Sequence, residues 1–268
     1  MTRVIETYVS DGEYPTFFSI LNGVRQAIAK DLPIEENARI LDLATGYAYF
    51  AIELARLRPD VEIVGIDISE GDVEIARENI AKCGLTKRVH VVRMDATHMD
   101  FPDESFDSVV NFLGFEDIYM TRGKSGVGKT FLEVGRILKP NRDFCLVAMP
   151  PEEMETAAQK LEVRVFSYIC GAVWLSFRDY SDMLRKAGLR PVSKENYYTG
   201  KKLTAGQARQ EIIFACQNVP TIYGIKTPPF ERIWELFGKE IEQEGLGHYS
   251  KVTLIRAKKD PSTCIASR

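Results

Sequence analysis

Between residues 38 and 147 the chain alternates short, nearly continuous apolar runs with stretches of helical period. Ile40 to Leu43, Val64 to Ile66, Val89 to Met94, Ser108 to Phe112 and Phe144 to Val147 are the runs. A strand covered on both faces of a parallel sheet is apolar throughout instead of alternating, so each run predicts a buried strand. The stretches between them predict helices. Ser69 is an N-cap with Asp72 three residues on, Val73, Ala76 and Ile80 share one face, and Gly84 closes the helix. Repeated strand–helix alternation predicts an α/β fold.

The flanks read as added helices. Phe17, Ile20, Leu21, Val24, Ala27 and Ile28 recur at helical spacing over 16–32, ahead of the first strand. A helical stretch from Pro150 to Ser176 carries Phe166, Tyr168, Ile169, Val173 and Trp174. Asp179 to Ala187 predicts a helix stopped by Gly188, with a sixth strand over Pro191 to Tyr197 and a seventh over Lys251 to Ala257. The insertion before that last strand is aromatic. Phe230, Ile233, Trp234 and Phe237 share a helical face, which reads as core, pocket lining or a dimer contact.

Two acids give the pattern its chemistry. Asp42 interrupts the first run at its carboxyl end, where open α/β sheets bind ligands, and Gly46 supplies a tight turn that a ligand can approach. Asp67 ends the second run, placed to accept hydrogen bonds from both hydroxyls of a ribose and to disfavour a 2′-phosphate. This is the layout of a nucleotide-binding βαβ unit.

From Ile40 to Val147 the chain resembles the class I S-adenosylmethionine-dependent methyltransferases. Four ordered stretches carry the resemblance: Asp42-Leu43-Ala44-Thr45-Gly46, Asp67-Ile68, Asp95-Ala96, and Phe106-Asp107 leading to Asn111-Phe112. Arg136-Ile137-Leu138-Lys139-Pro140 then matches the turn before the fifth strand, with Asn141 in place of a glycine. Ala44 and Ala48 stand where the family usually has glycines, a change tolerable where φ stays negative. The resemblance implies a seven-stranded, mostly parallel Rossmann-like sheet with helices on both faces, an N-terminal lid helix, and an insertion before the last strand. It implies S-adenosylmethionine as cofactor, held by Asp42, Ala44, Thr45, Gly46, Asp67, Ile68, Asp95, Ala96, Asn111 and Phe112. The expected division is a lid region over 1–37, a methyltransferase domain over 38–260 with substrate-side insertions at 150–178 and 200–249, and a tail over 261–268.

Catalytic groups are fewer, because a sulfonium methyl is already activated and needs an acceptor held in line more than strong acid or base groups. Asn111 matches the family position beside the transferred methyl, Tyr14 the region where relatives place a tyrosine, and Glu116 lies just past the strand as a base or amine contact. Asn111 begins Asn-Phe-Leu-Gly and not Asn-Pro-Pro-Tyr, which disfavours nucleobase and glutamine acceptors and leaves a small molecule or a protein side chain. His248 reads as a surface or packed histidine or as a second base.

One motif competes. Gly123 to Thr130 satisfies the phosphate-loop pattern G-x-x-x-x-G-K-[ST], but it does not follow a first buried strand, and it reads better as a flexible loop beside the substrate cleft. A phosphate-loop nucleotide-binding protein, a Rossmann-like NAD enzyme and a cofactor-binding regulator without turnover remain the alternatives. Composition narrows the rest. The 268 residues are 45% apolar with a net charge of −3, which gives a large core and no overall basic footprint for nucleic acid. Five scattered cysteines indicate neither a disulfide framework nor a metal site. With no long apolar span and no signal peptide, the expectation is a cytoplasmic protein with no membrane contact, and a homodimer through the aromatic insertion is conceivable.

Overall fold

The central sheet is built as the apolar runs require. Its strands are β2 (Arg39–Leu43), β3 (Glu62–Asp67), β4 (Val89–Arg93), β5 (Phe106–Phe112), β6 (Leu138–Ala148), β7 (Leu189–Tyr198) and β9 (Lys251–Lys259), in the order β4-β3-β2-β5-β6-β9-β7. The structure, a computed structural model, describes residues 7–8, 21–247 and 250–261. From β2 the chain builds outward through β3 and β4, then crosses back to place β5 and β6 on the other side of β2, all in parallel. That reversal puts a switch point between β2 and β5, at whose carboxyl ends α/β sheets bind ligands.

The described residues form two compact units. The first, drawn from Arg25–Ala148, Phe177–Glu195 and Leu254–Arg268, holds most of the sheet and the helices α2 (Tyr49–Leu57), α3 (Glu70–Lys82), α4 (Phe115–Ile137) and α6 (Phe177–Lys186). The sequence rules for α3 hold atom by atom: the Asp72 amide donates to the Ser69 hydroxyl at 3.3 Å, and Val73, Ala76 and Ile80 are buried. An aromatic cluster fills the space between α4, α6 and β6. Phe131 packs 4.7 Å from Phe115, 5.8 Å from Phe144 and 6.3 Å from Tyr180 by ring centroids, and all four are buried.

Two backbone positions depart from expectation. Ala44 has φ 52° and Ala48 φ 62°, so the alanines take the left-handed conformation that glycine adopts freely, against the negative φ that the sequence favours. Each costs about 1–2 kcal/mol in backbone strain. Asn141, with φ 61°, behaves as its residue type allows, and marks an irregularity within β6 instead of a loop before it.

The second unit comes from the described residues of Met149–Ser176 and Asn196–Thr253 and those before Arg25. Its helices are α5 (Ala157–Cys170), α7 (Ala205–Tyr223) and α8 (Phe230–Glu244), and it carries a small parallel pair, β1 (Thr7–Tyr8) with β8 (Lys201–Lys202). Thr156 with Gln159 and Thr204 with Gln207 form reciprocal capping boxes that start α5 and α7. The predicted stripe on α8 divides: Ile233 is fully buried, Phe230 stacks on Trp234 at 5.6 Å with the Arg209 guanidinium over both, and Phe237 meets Tyr168. The helix expected through Trp174 ends earlier. Gly171, with φ 68°, caps α5, and Val173 and Trp174 lie beyond it. The N-terminal helix α1 is described from Asn22 to Asp31, and Tyr14 lies outside the described residues.

Candidate functional site

Four adjacent parallel strands end in Asp42-Leu43, Asp67, Arg93 (with Asp95 two residues on) and Asn111-Phe112, which brings the sequence-predicted groups to one edge. The turn after β2 ties them together. The Thr45 hydroxyl donates to Asp42 at 2.6 Å, its amide donates to the Ile66 carbonyl, and the Gly46 amide donates to the Asp67 carboxylate at 2.9 Å. The other Asp67 oxygen accepts from the Ser69 amide at 3.0 Å. A Cβ at Gly46 would meet nothing within 4 Å, so the turn faces open space. Gly114, by contrast, sits where a Cβ would come within 2.6 Å of the Ala44 Cβ, so the segment after β5 packs directly on this turn.

Asn111 is fully buried and joins two strand ends: its amide donates to the Leu43 carbonyl at 2.6 Å, and its oxygen faces the Gly114 amide. Phe112 packs its ring on Phe50 at 5.1 Å. The Ile68 carbonyl accepts from Arg93, and Ala96 is buried. Asp95 is more engaged than its sequence neighbours imply. Thr97 donates twice to one oxygen and Arg122 of α4 to the other at 3.0 Å. Burial alone would raise the Asp95 pKa, but these bonds outweigh it and hold the carboxyl below its usual range.

Burial dominates elsewhere. Desolvation pushes Asp42 up to about 7, only partly offset by the Thr45 hydroxyl and the Ala51 amide. Asp67 is raised by the same cause, and Asp72 rises to about 6 through burial and the nearby Asp67 charge. Glu116, in the first turn of α4, has one carboxyl oxygen shut off from solvent without a hydrogen-bond partner among the described residues, and burial pushes it up to about 7. An acid whose folded pKa exceeds its unfolded value near 4 keeps a proton in the native state between the two. Stability from these groups is therefore present at low pH and lost as pH rises toward 7. The urea midpoint is expected to fall between pH 5 and pH 8, and Glu116→Gln, whose amide does not titrate, is expected to flatten that fall. An unchanged slope would mean that Glu116 is ionised throughout.

Arg25 belongs to the site and was not found from sequence. It is 4% exposed, its guanidinium lies 5.1 Å from the Tyr49 ring and 5.3 Å from the Phe112 ring, and its charge acts on Asp42. The signal was present: Leu21, Val24, Ile28 and Ala29 are buried, and Arg25 falls on their face of α1. Arg122 was likewise passed over, one residue before the stretch that drew attention by its phosphate-loop letters.

That stretch is a correction. Gly123 to Thr130 is not a flexible loop but part of α4, broken only at Gly123 (φ 66°, ψ −175°). Lys124 pairs with Asp179 at 2.6 Å, and the buried Thr130 hydroxyl donates to the Gly126 carbonyl. Helical amides bonded within their own helix cannot cradle a phosphate. His248 and Tyr14 fall outside the described residues. Among the described residues no cluster of His, Cys, Asp and Glu could hold a metal ion, four cysteines are free thiols, and no helix is long and apolar enough to cross a membrane.

A family model described as a methyltransferase domain matches residues 34–199. The ubiquinone/menaquinone biosynthesis C-methyltransferase of Geobacter sulfurreducens is 32% identical over 146 residues, 54% of this chain and 52% of the relative. The chain thus spans about half the length of that relative. The 27-O-demethylrifamycin SV methyltransferase of Amycolatopsis mediterranei is 30% identical over 208 residues, 75% of this chain and 72% of the relative. Among solved structures, the [4+2]-cyclase SpnF superposes with a TM-score of 0.62 at 20% identity, covering 89% of this chain and 81% of its own.

Proposed function

Because the chain belongs to the class I S-adenosylmethionine-dependent methyltransferases, we propose that it transfers the cofactor's methyl group to a small-molecule acceptor. The observation that carries this reading is the bonding of the Gly46 amide to the Asp67 carboxylate below an open turn, at a switch point of the sheet. The donor set suits the cofactor. Asp67 offers a carboxylate to ribose hydroxyls, Asp95 and Ala96 an acid and an amide to adenine, and Arg25 a buried cation to a carboxylate.

When bound, the sulfonium supplies a methyl group that needs no further activation. The chain's task is to hold the acceptor, exclude water and take up a proton where the acceptor carries one. Glu116, protonated to about pH 7, can take that part once ionised. Asn111 fixes the strand ends through its bond to Leu43, and Ala44, Thr45, Ile68 and Phe112 line the turn and strand ends around the cofactor. Tyr14 is assigned the acceptor side from the resemblance. On this reading the segments 150–178 and 200–249 select the acceptor within a domain spanning 38–260, with 1–37 as lid and 261–268 as tail. A small molecule is favoured over a protein side chain because the relatives named above are named for ubiquinone/menaquinone biosynthesis and for 27-O-demethylrifamycin SV.

Calorimetric titration with S-adenosylhomocysteine, ATP with magnesium, and NAD tests the cofactor. Binding of the first alone is expected. Arg25→Ala should weaken it roughly ten- to a hundredfold, the loss of a charged hydrogen bond, while 5′-methylthioadenosine, which lacks the carboxylate, binds wild type and variant alike. Binding of ATP or NAD without S-adenosylhomocysteine would replace this reading. Cofactor binding with no methyl passed from labelled S-adenosylmethionine to any extract component would favour a binding protein, and SpnF, named as a cyclase, illustrates that the fold also serves other chemistry.

A further inference from the structure

The break in α4 is a built feature. Gly123 takes φ 66° and ψ −175°, a backbone that glycine alone adopts without strain, and the residues on either side of it are held by different acids. Arg122 donates to Asp95 and Lys124 to Asp179. In an unbroken helix, Cβ atoms four residues apart lie about 5–6 Å from each other, yet here a Cβ on Gly126 would collide with that of Arg122. The break therefore folds Arg122 back over the next turn, and the missing side chain of Gly126 makes the room. Two glycines within the stretch that imitates a phosphate loop serve this fold. The Thr121 hydroxyl closes the first arm, 115–122, by donating to the Asp117 and Ile118 carbonyls at 2.9 and 3.3 Å, and the Thr121 carbonyl accepts from Arg122 at 3.2 Å.

Asp95 is filled as a result. An ionised carboxylate offers about four lone-pair sites. One Asp95 oxygen accepts from the Thr97 amide at 2.9 Å and the Thr97 hydroxyl at 2.8 Å, while the other accepts from the Arg122 Nε at 3.0 Å and lies 2.9 Å from an Arg122 terminal nitrogen. The two partners differ in how firmly they are held. Thr97 follows Asp95 by two residues, so its bonds are local, whereas Arg122 reaches Asp95 from another element and the pair is half-exposed, 41% on the arginine and 33% on the acid. The arginine is the partner that can yield.

We infer that Arg122 is a latch on the adenine end of the cofactor site: its guanidinium and the 6-amino group of the base compete for the same Asp95 oxygen, so the arginine lowers affinity for adenine and leaves Asp95 when the base enters. The inference rests on the cofactor reading above, in which Asp95 receives adenine. Half-exposed ion pairs are worth little, so the latch tunes affinity without closing the site.

The test is calorimetry on the whole chain, unaltered and as Arg122→Met, with S-adenosylhomocysteine and with its 6-oxo analogue S-inosylhomocysteine, which carries a carbonyl in place of the amino group. Methionine keeps a long stem and removes the charge. S-adenosylhomocysteine should bind the variant about two- to fivefold more tightly, the worth of a half-exposed ion pair, and the 6-oxo analogue should gain nothing. Equal gains for the two ligands would mean that Arg122 only shapes the site. Unchanged S-adenosylhomocysteine binding would mean that it does not compete, and weaker binding that it holds the base itself. Each of these overturns the latch and leaves the cofactor reading standing. Failure of both chains to bind S-adenosylhomocysteine overturns the cofactor reading, and the latch with it.

Discussion

On the proposed reading, in which Asp67 accepts from both ribose hydroxyls, Asp67→Ala is expected to weaken S-adenosylhomocysteine binding by at least about a hundredfold. The structure adds a second loss. The same carboxylate accepts from the Gly46 amide at 2.9 Å and the Ser69 amide at 3.0 Å, so its removal also leaves the turn after β2 and the start of α3 without their shared acceptor. Asp67→Asn separates the two effects. Its amide oxygen can still receive one of these backbone groups, so it should bind more tightly than the alanine variant yet well below wild type. Calorimetry on both, with melting temperatures alongside, checks the result; wild-type affinity in Asp67→Ala would remove this residue from the site.

Phe131→Ala should destabilise the fold by about 3–5 kcal/mol, the range for deleting a large aromatic side chain from a close-packed core. Phe131 is fully buried and is the common neighbour of Phe115, Phe144 and Tyr180, so its truncation opens a cavity bounded by three rings on three elements. Stiff rings anchored on α4, β6 and α6 can collapse only slightly into that space, which puts the loss toward the upper end of the range. Urea unfolding monitored by far-UV circular dichroism measures it. A loss under about 1 kcal/mol would mean that the cluster repacks freely.

The centre of the sheet was legible because its strands are largely buried, a condition that writes itself into sequence as unbroken apolar runs; β2, β3 and β5 fall where those runs lie, whereas the edge strand β4, expected to be buried throughout, buries only Val89 and Val91. α3 was legible through Ser69 and Asp72, whose contact is made as the letters imply. Ala44 and Ala48 were not. Local sterics argue for negative φ, and the close packing of Gly114 on Ala44, invisible along the chain, is what local letters do not show. Gly123 to Thr130 misled in the opposite sense, because a pattern of letters specifies no preceding strand, and without one these residues continue a helix. Arg25 was missed for a simpler reason. A search for apolar periodicity passes over the charged residue lying on the apolar face, although that misplacement is itself the mark of a built polar contact. Trp174 could have been separated from α5 by Gly171, a stop signal present in the sequence.

The two left-handed alanines have a further consequence, for the kinetics and entropy of recognition. A glycine at either position would wander over both halves of φ space whenever the turn was empty, and each arriving ligand would have to freeze that motion. Alanine has far fewer basins to visit, and one held at positive φ by its surroundings has nowhere comfortable to relax. On the proposed reading the turn after β2 is therefore preorganised, its ordering completed during folding and not at the moment of encounter. Ligand association should accordingly show little of the entropic penalty that glycine-rich turns impose, and its rate should be governed by diffusion and desolvation instead of by loop rearrangement.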